Sequence, residues 1–258
     1  MERISFDAVS VPELYQRLLV PAIFAPWAER LIAFAGVSEG DAVLDVAAGT
    51  GVVSAAALER VGPSGRVVAT DVSPGMLEVA RVDRPRLETL VGPADDLPVK
   101  NGSFDVALCQ QGFQFLPDKV AAAAAMRRSV RSGGTAALAV WRCGTLLEPF
   151  DVYGRALQAL GAPEPFPRAY AYDFCMAEDE VRAVLESSGL EQVEVGVETL
   201  EITWSSLDDA VRGIGGTPYG PAAAALDAEA QARLGATLRQ ELRSPHPMHA
   251  VLARGVVP

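Results

Sequence analysis

Two carboxylates and a run of small residues carry most of the chemical information in these 258 residues. Asp45 sits near the end of the apolar run AVLDVA (42–47), and Ala47, Gly49 and Gly51 follow at alternate positions. Small residues at such a turn let the backbone approach a ligand closely and let the flanking elements pack tightly. Asp45 is placed to organise water or donors around an ammonium group. Asp71 closes the next apolar run, RVVATD (66–71), 20 residues beyond Gly51. A carboxylate there can accept hydrogen bonds from both hydroxyls of a ribose. Ser73-Pro74-Gly75-Met76-Leu77 then opens a helix that would bring Met76 near an adenine face, although Met at such a place is as often plain core. Any tight strand-to-helix turn favours small residues, so the turn and Asp71 must be read together. Together they point to a nucleoside-bearing cofactor. A dinucleotide fits less well, because a pyrophosphate-binding turn reads G-x-G-x-x-G and this one does not.

These residues need strands to hold them. Short apolar runs at 42–47, 66–71, 86–91, 104–109 and 135–141 read as buried strands. The segments 51–60, 74–82 and 118–130 between them read as helices. That alternation implies an α/β fold, a doubly wound, mostly parallel sheet covered on both faces. Right-handed crossovers then place the strand C-terminal ends, with Asp45 and Asp71, on one edge. Ahead of this core, 11–20 and 26–35 read as two helical pieces, the second opened by Pro26 and stopped by Gly36. After it come a proline-marked loop (Pro163, Pro165, Pro167), a helix at 178–188, a strand at 192–203 and a short helix at 207–214. A longer helix at 222–242 and a last strand at 248–254 complete the tail. No composition break resembles a linker. The expected organisation is one domain over 1–258: an N-terminal helical lid (1–38), a cofactor-binding core (42–142), and a substrate-side insertion with the last two strands (143–258).

Composition narrows the partners. The net charge of −11 argues against nucleic acid and anionic membranes, and the densest basic group, Arg127, Arg128 and Arg131, reads as an ordinary helix C-terminus. No basic head followed by an apolar stretch opens the chain, and no apolar run nears the roughly 20 residues of a membrane span. A cytoplasmic protein, monomer or homodimer, is expected. Cys109, Cys143 and Cys175 are odd in number and lack metal-like spacing, and two of them, beside apolar runs, read as buried thiols; no metal site is expected.

In order and spacing, Val43–Ser54, Val67–Arg81, Gly92–Asp105 and the turn Arg131-Ser132-Gly133-Gly134 resemble the successive motifs of class I S-adenosylmethionine-dependent methyltransferases. The resemblance covers roughly 40–142 and is nearest the ubiquinone and menaquinone biosynthesis group. It implies a Rossmann-like seven-stranded sheet whose last strand, near 248–254, lies antiparallel beside the fifth. It implies S-adenosylmethionine as cofactor and S-adenosylhomocysteine as product. Ala47 and Gly49 would pass beneath the methionyl part and Asp71 would hold the ribose. Pro93, Ala94 and Asp95 would border the adenine, and the backbone around Cys109 and Gln110 would face the methionyl ammonium. Phe113, Gln114 and Phe115 would lie between cofactor and acceptor. Two positions depart from the pattern: Ala47 replaces a usual glycine, and Pro93 replaces a usual Asp that accepts the adenine amino group. Asp95 is the acid left to take that contact, or it is a solvated surface acid.

Methyl transfer needs alignment and desolvation, and a general base only where the acceptor must lose a proton. No base stands out; His246 and His249 read as a loop and a strand end. Tyr15, Gln114 and Phe115 are the residues expected to orient the acceptor. Phe24, Trp27, Phe150, Tyr153, Phe166, Tyr170, Tyr172, Phe174, Trp204 and Tyr219 supply an aromatic pocket for an apolar small molecule, with secondary metabolism a natural setting. Gly213, Gly215, Gly216, Pro218 and Gly220 read as a flap over its mouth or a plain connection. The same cofactor motifs also suit a protein that holds the cofactor but catalyses another reaction, such as a cyclisation.

Overall fold

Residues one apart in the central strands divide between two cores, which fixes how the sheet sits. The computed structural model describes residues 11–82, 84–145, 147–165 and 174–258. Strands β1 (Ala42–Val46), β2 (Arg66–Asp71), β3 (Leu87–Val91), β4 (Phe104–Gln110) and β5 (Val130–Trp141) run parallel. β6 (Glu191–Ile202) and β7 (His246–Val256) complete a seven-stranded sheet in the order β3-β2-β1-β4-β5-β7-β6. β7 is antiparallel to both β5 and β6. The expected strand beside the fifth is therefore present, running longer than its apolar run suggested.

Val43, Val67, Leu108, Ala137 and Leu252 face one core, and Leu44, Val68, Ala107, Leu138 and Val251 face the other. Each fully buried Leu or Val contributes about 1.5–3 kcal/mol. The helices α3 (Val52–Val61) and α4 (Pro74–Arg81) bury apolar residues in the first core, whereas α5 (Lys119–Ser129) and α7 (Glu178–Ser187) do so in the second. The order of strands makes β1 and β4 central neighbours, with the ligand edge above them.

The N-terminal region differs from the two-piece expectation. Short α1 (Val11–Leu14), a π-helical stretch (Tyr15–Phe24) and α2 (Ala25–Ala35) form one continuous helix. Pro21 and Pro26 each remove one N–H donor, and wider π-type turns tolerate this where a regular helix would break. The merged Pro12–Ala35 segment, 24 residues, is long and apolar enough to cross a membrane by length and composition, which corrects the expectation that no run approached that length. Here 61% of its most apolar window is buried within the protein, with Trp27, Leu31 and Ile32 in the first core.

The remaining corrections lie in the tail. Helix α6 (Phe150–Ala159) occupies a stretch to which the sequence pattern assigned no element; its Gly154 leaves room for the Tyr219 ring, a tertiary fit invisible to local pattern. The expected 222–242 helix is two, α9 (Gly220–Ala224) and α10 (Ala228–Glu241), because Asp227 caps α10 by accepting from the Ala230 N–H at 2.8 Å. The helical material thus splits between the β5–β6 connection and the β6–β7 connection, which carries α8 (Leu207–Gly213), α9 and α10. Cys143 and Cys175 form a disulfide with Cα atoms 5.0 Å apart, leaving Cys109 as the free, buried thiol. Distant in sequence, the pair meets only through the fold. Arg131 lies in β5, not at a helix end, and pairs with Asp105.

Candidate functional site

The C-terminal ends of β1, β2 and β4 open onto a cavity of about 400 Å³. Its floor is the turn after β1. Ala47, Gly49 and Gly51 all adopt left-handed backbone (φ 55°, 55° and 76°). Among the described residues nothing lies within 4 Å of where a Gly49 side chain would begin, so that backbone is open to a ligand. A side chain on Gly51 would instead stand 3.0 Å from the Ala80 methyl of α4, so this glycine permits close packing between helices. Ala47 holds its left-handed geometry without being glycine, at a cost of about 1–2 kcal/mol.

Asp71 braces this turn. Its Oδ2 accepts from the Gly49 N–H at 2.8 Å and its Oδ1 from the Ser73 N–H at 2.9 Å. Ser73 in turn caps α4 by accepting from the Met76 N–H at 3.2 Å. Asp45 is 1% exposed; one oxygen accepts from the Ser54 hydroxyl at 2.6 Å, and Oδ1 has no partner among the described residues. Burial raises its carboxyl to about 7; Ser54 opposes the rise and the Asp71 charge adds to it. An orphaned buried carboxylate oxygen is the complement of a bound cation. Among the described residues that line the cavity there is no Lys, Arg or His to serve it.

Most of the expected residues line the same cavity: Tyr15, Asp45, Ala47, Gly49, Asp71, Met76, Ala94, Asp95, Gln110 and Phe115. Gln110 donates through Nε2 to the Phe24 carbonyl at 2.9 Å, tying β4 to the N-terminal helix. Phe113 and Gln114 do not line it. The short 3₁₀ turn Phe113–Phe115 points successive side chains apart, so Phe113 enters the second core and only Phe115 reaches the cavity. The Gln114 amide instead donates to the Gln111 carbonyl at 2.9 Å.

The roof is apolar. Tyr15 stacks on Phe24 with ring centroids 4.8 Å apart, and Phe24 meets Trp141, which meets Phe150. Phe115 and Phe174 approach to 5.2 Å. Burial, reinforced by the Asp71 and Asp45 charges, pushes the Tyr15 phenol above its usual range, so it is a hydrogen-bond donor and not a phenolate base. The strap Gly216–Tyr219 closes one side; a side chain on Gly216 would lie 2.6 Å from the Tyr15 backbone nitrogen. Of the anticipated aromatics, Trp27, Tyr153 and Trp204 are core residues away from the cavity. Phe166, Tyr170 and Tyr172 lie outside the described residues. Trp141 and Gln111 are cavity residues that the sequence reading missed. His246 engages the Arg243 carbonyl and His249 the Thr199 hydroxyl, and neither lines the cavity.

A family model described as a methyltransferase domain matches residues 43–134. The ubiquinone/menaquinone biosynthesis C-methyltransferase UbiE of Cupriavidus taiwanensis is 35% identical over 184 residues, covering 65% of this chain and 74% of that protein. The chain belongs to the class I S-adenosylmethionine-dependent methyltransferases, in the UbiE-like group. An uncharacterized protein of Mycobacterium tuberculosis is 30% identical over 185 residues, 69% of this methyltransferase and 66% of that protein. An S-adenosylmethionine-dependent methyltransferase from Aquifex aeolicus shares the fold (TM-score 0.54, 21% identity, 74% of this chain and 92% of that one). So does an ethanolamine-phosphate N-methyltransferase of Haemonchus contortus solved with S-adenosylhomocysteine (TM-score 0.58, 19% identity, 97% of this chain and 61% of that one). The family implies S-adenosylmethionine, and the orphaned Asp45 oxygen, the open Gly49 backbone and the lack of cations among the described lining residues suit a cationic, nucleoside-bearing molecule.

Proposed function

We propose that this methyltransferase alkylates a neutral, ring-bearing small molecule, and that β1, β2 and β4 hold the cofactor while the aromatic roof holds the acceptor. One observation carries the reading: a single cavity is lined both by carboxylates (Asp45, Asp71, Asp95, Asp118) and by aromatic side chains (Phe24, Trp141, Phe150, Phe174, Tyr219). In this reading Asp45 and the Gln110 backbone meet the methionyl ammonium, Ala47 and Gly49 pass beneath the chain, and Asp71 takes the ribose hydroxyls. Met76, Ala94 and Asp95 border the adenine, Asp95 replacing the acid that Pro93 lacks. When bound, S-adenosylmethionine would supply a methyl on a sulfonium: the acceptor's electron pair would take the carbon, the S–C pair would stay on sulfur, and a hydroxylated acceptor's proton would leave to solvent. The protein's part is to align and to exclude water, which Tyr15, Phe24 and the 216–219 strap do from above. The described residues of 1–38 act as a lid on a chain that works as one unit, those of 42–142 as the cofactor half and those of 143–258 as the acceptor half. The acidic composition and the internal packing of Pro12–Ala35 support an enzyme that engages neither nucleic acid nor membrane.

The name of the UbiE relatives supports quinone-type rings as the first acceptors to try. Transfer of a radiolabelled methyl to a panel of phenols, quinols, aromatic amines and aromatic carboxylates tests the reading. Turnover should concentrate on the neutral hydroxylated rings; turnover confined to carboxylates would overturn it.

A further inference from the structure

Resting on that reading, we infer that Gln111 is the residue that selects the acceptor, and that it recognises a neutral oxygen, hydroxyl or carbonyl, on the acceptor ring. Gln111 is 6% exposed and lines the cavity, yet neither Nε2 nor Oε1 meets a partner among the described residues. Its backbone is the reverse. The N–H donates to the Ala139 carbonyl at 2.8 Å, and its own carbonyl accepts from Gln114 Nε2 at 2.9 Å. The residue adopts left-handed backbone, φ 46°, which is costly for glutamine. Backbone groups fully engaged, strain accepted and a side-chain amide left unserved in a buried wall together describe a group held ready for a ligand.

Its position says which ligand. β4 lies between β1, which carries Asp45, and β5, which ends at Trp141, so Gln111 stands on the aromatic side of the carboxylates. The neighbouring Gln110 has its amide nitrogen committed to Phe24, whereas Gln111 offers both a donor and an acceptor. A hydroxyl uses both and a carbonyl uses the donor. An amide gives an anion no countercharge, and the described cavity wall has no Lys, Arg or His to add one. Gln114 is then a positioning residue, fixing the turn from behind.

Equilibrium dialysis of the full chain loaded with S-adenosylhomocysteine tests this with two probes of one shape, 1-naphthol and 1-methylnaphthalene. Wild type should hold 1-naphthol about tenfold more tightly, because an apolar probe leaves the amide unpaired. Gln111→Met should bring that ratio near one while leaving the affinity for S-adenosylhomocysteine within about twofold. Gln111→Asn, which tolerates left-handed backbone, should lower the ratio with the fold preserved. A Gln111→Met protein that keeps the wild-type preference, or that loses S-adenosylhomocysteine instead, overturns the role of Gln111. A wild type that binds neither probe, or both equally, overturns the acceptor reading beneath it.

Discussion

The unpartnered Asp45 oxygen makes cofactor affinity depend on pH in a calculable way. With its carboxyl raised to about 7 by burial, Asp45 is largely protonated below neutrality in the cofactor-free protein. A bound ammonium favours the carboxylate, so binding must first release that proton. Affinity then falls about tenfold per pH unit well below 7 and levels off above it. Between pH 7.5 and 5.5 the ionised fraction drops from about three-quarters to about 3%, a loss of roughly 25-fold, or about 1.9 kcal/mol. The effect on folding has the opposite sign. A carboxyl whose folded pKa is raised binds more protons folded than unfolded, so its contribution to stability is present near pH 4 and is lost as pH rises through 7. Calorimetric titration with S-adenosylhomocysteine at half-unit pH steps measures the first effect. 5′-Methylthioadenosine, which lacks the ammonium, should give a flat profile, and so should Asp45→Asn with either ligand. A wild-type affinity for S-adenosylhomocysteine that changes less than twofold over this range would refute the reasoning, as would an Asp45→Asn profile with the full slope.

Other perturbations separate the parts of the site. Asp71→Ala leaves the Gly49 and Ser73 N–H groups without their acceptor; urea denaturation should give a loss of about 1–3 kcal/mol, with S-adenosylhomocysteine affinity down at least tenfold. Gly216→Ala places a methyl 2.6 Å from the Tyr15 nitrogen. It should force the strap off the N-terminal helix, raising the acceptor KM several-fold in steady-state kinetics while cofactor affinity stays within about twofold. Reducing Cys143–Cys175, which closes a loop of sequence separation 32, should lower stability by about 3–4 kcal/mol on the chain-entropy account. Denaturation with and without reductant reads this, and Cys143→Ser/Cys175→Ser should abolish the difference.

The parts legible in the sequence were those written in local pattern. Strands at 42–47, 66–71 and 104–109 follow from short apolar runs, and Asp45, Gly49 and Asp71 from their position at the ends of such runs. What escaped depends on contacts far apart in the chain. Gln111 carries no local signal, because its left-handed backbone and its commitment to Ala139 exist only once β5 lies beside β4. Cys143 and Cys175 meet through the fold, and α6 tolerates Gly154 because Tyr219 occupies the space. The choice of Phe115 over Gln114 as a cavity residue turns on a single 3₁₀ turn, which no periodicity announces. Asp227 did carry a local signal, an acid capping the helix that follows it, and a closer reading of caps would have divided 222–242 correctly.

The central claim is that the cavity holds the adenosyl cofactor through Asp45 and Asp71. Calorimetric titration of the full chain with S-adenosylhomocysteine at pH 7.5, beside Asp71→Ala, tests it most directly. The account predicts one saturable site per chain in wild type and at least tenfold weaker binding in the variant. Binding of equal strength in both proteins, or no binding in wild type, would contradict it.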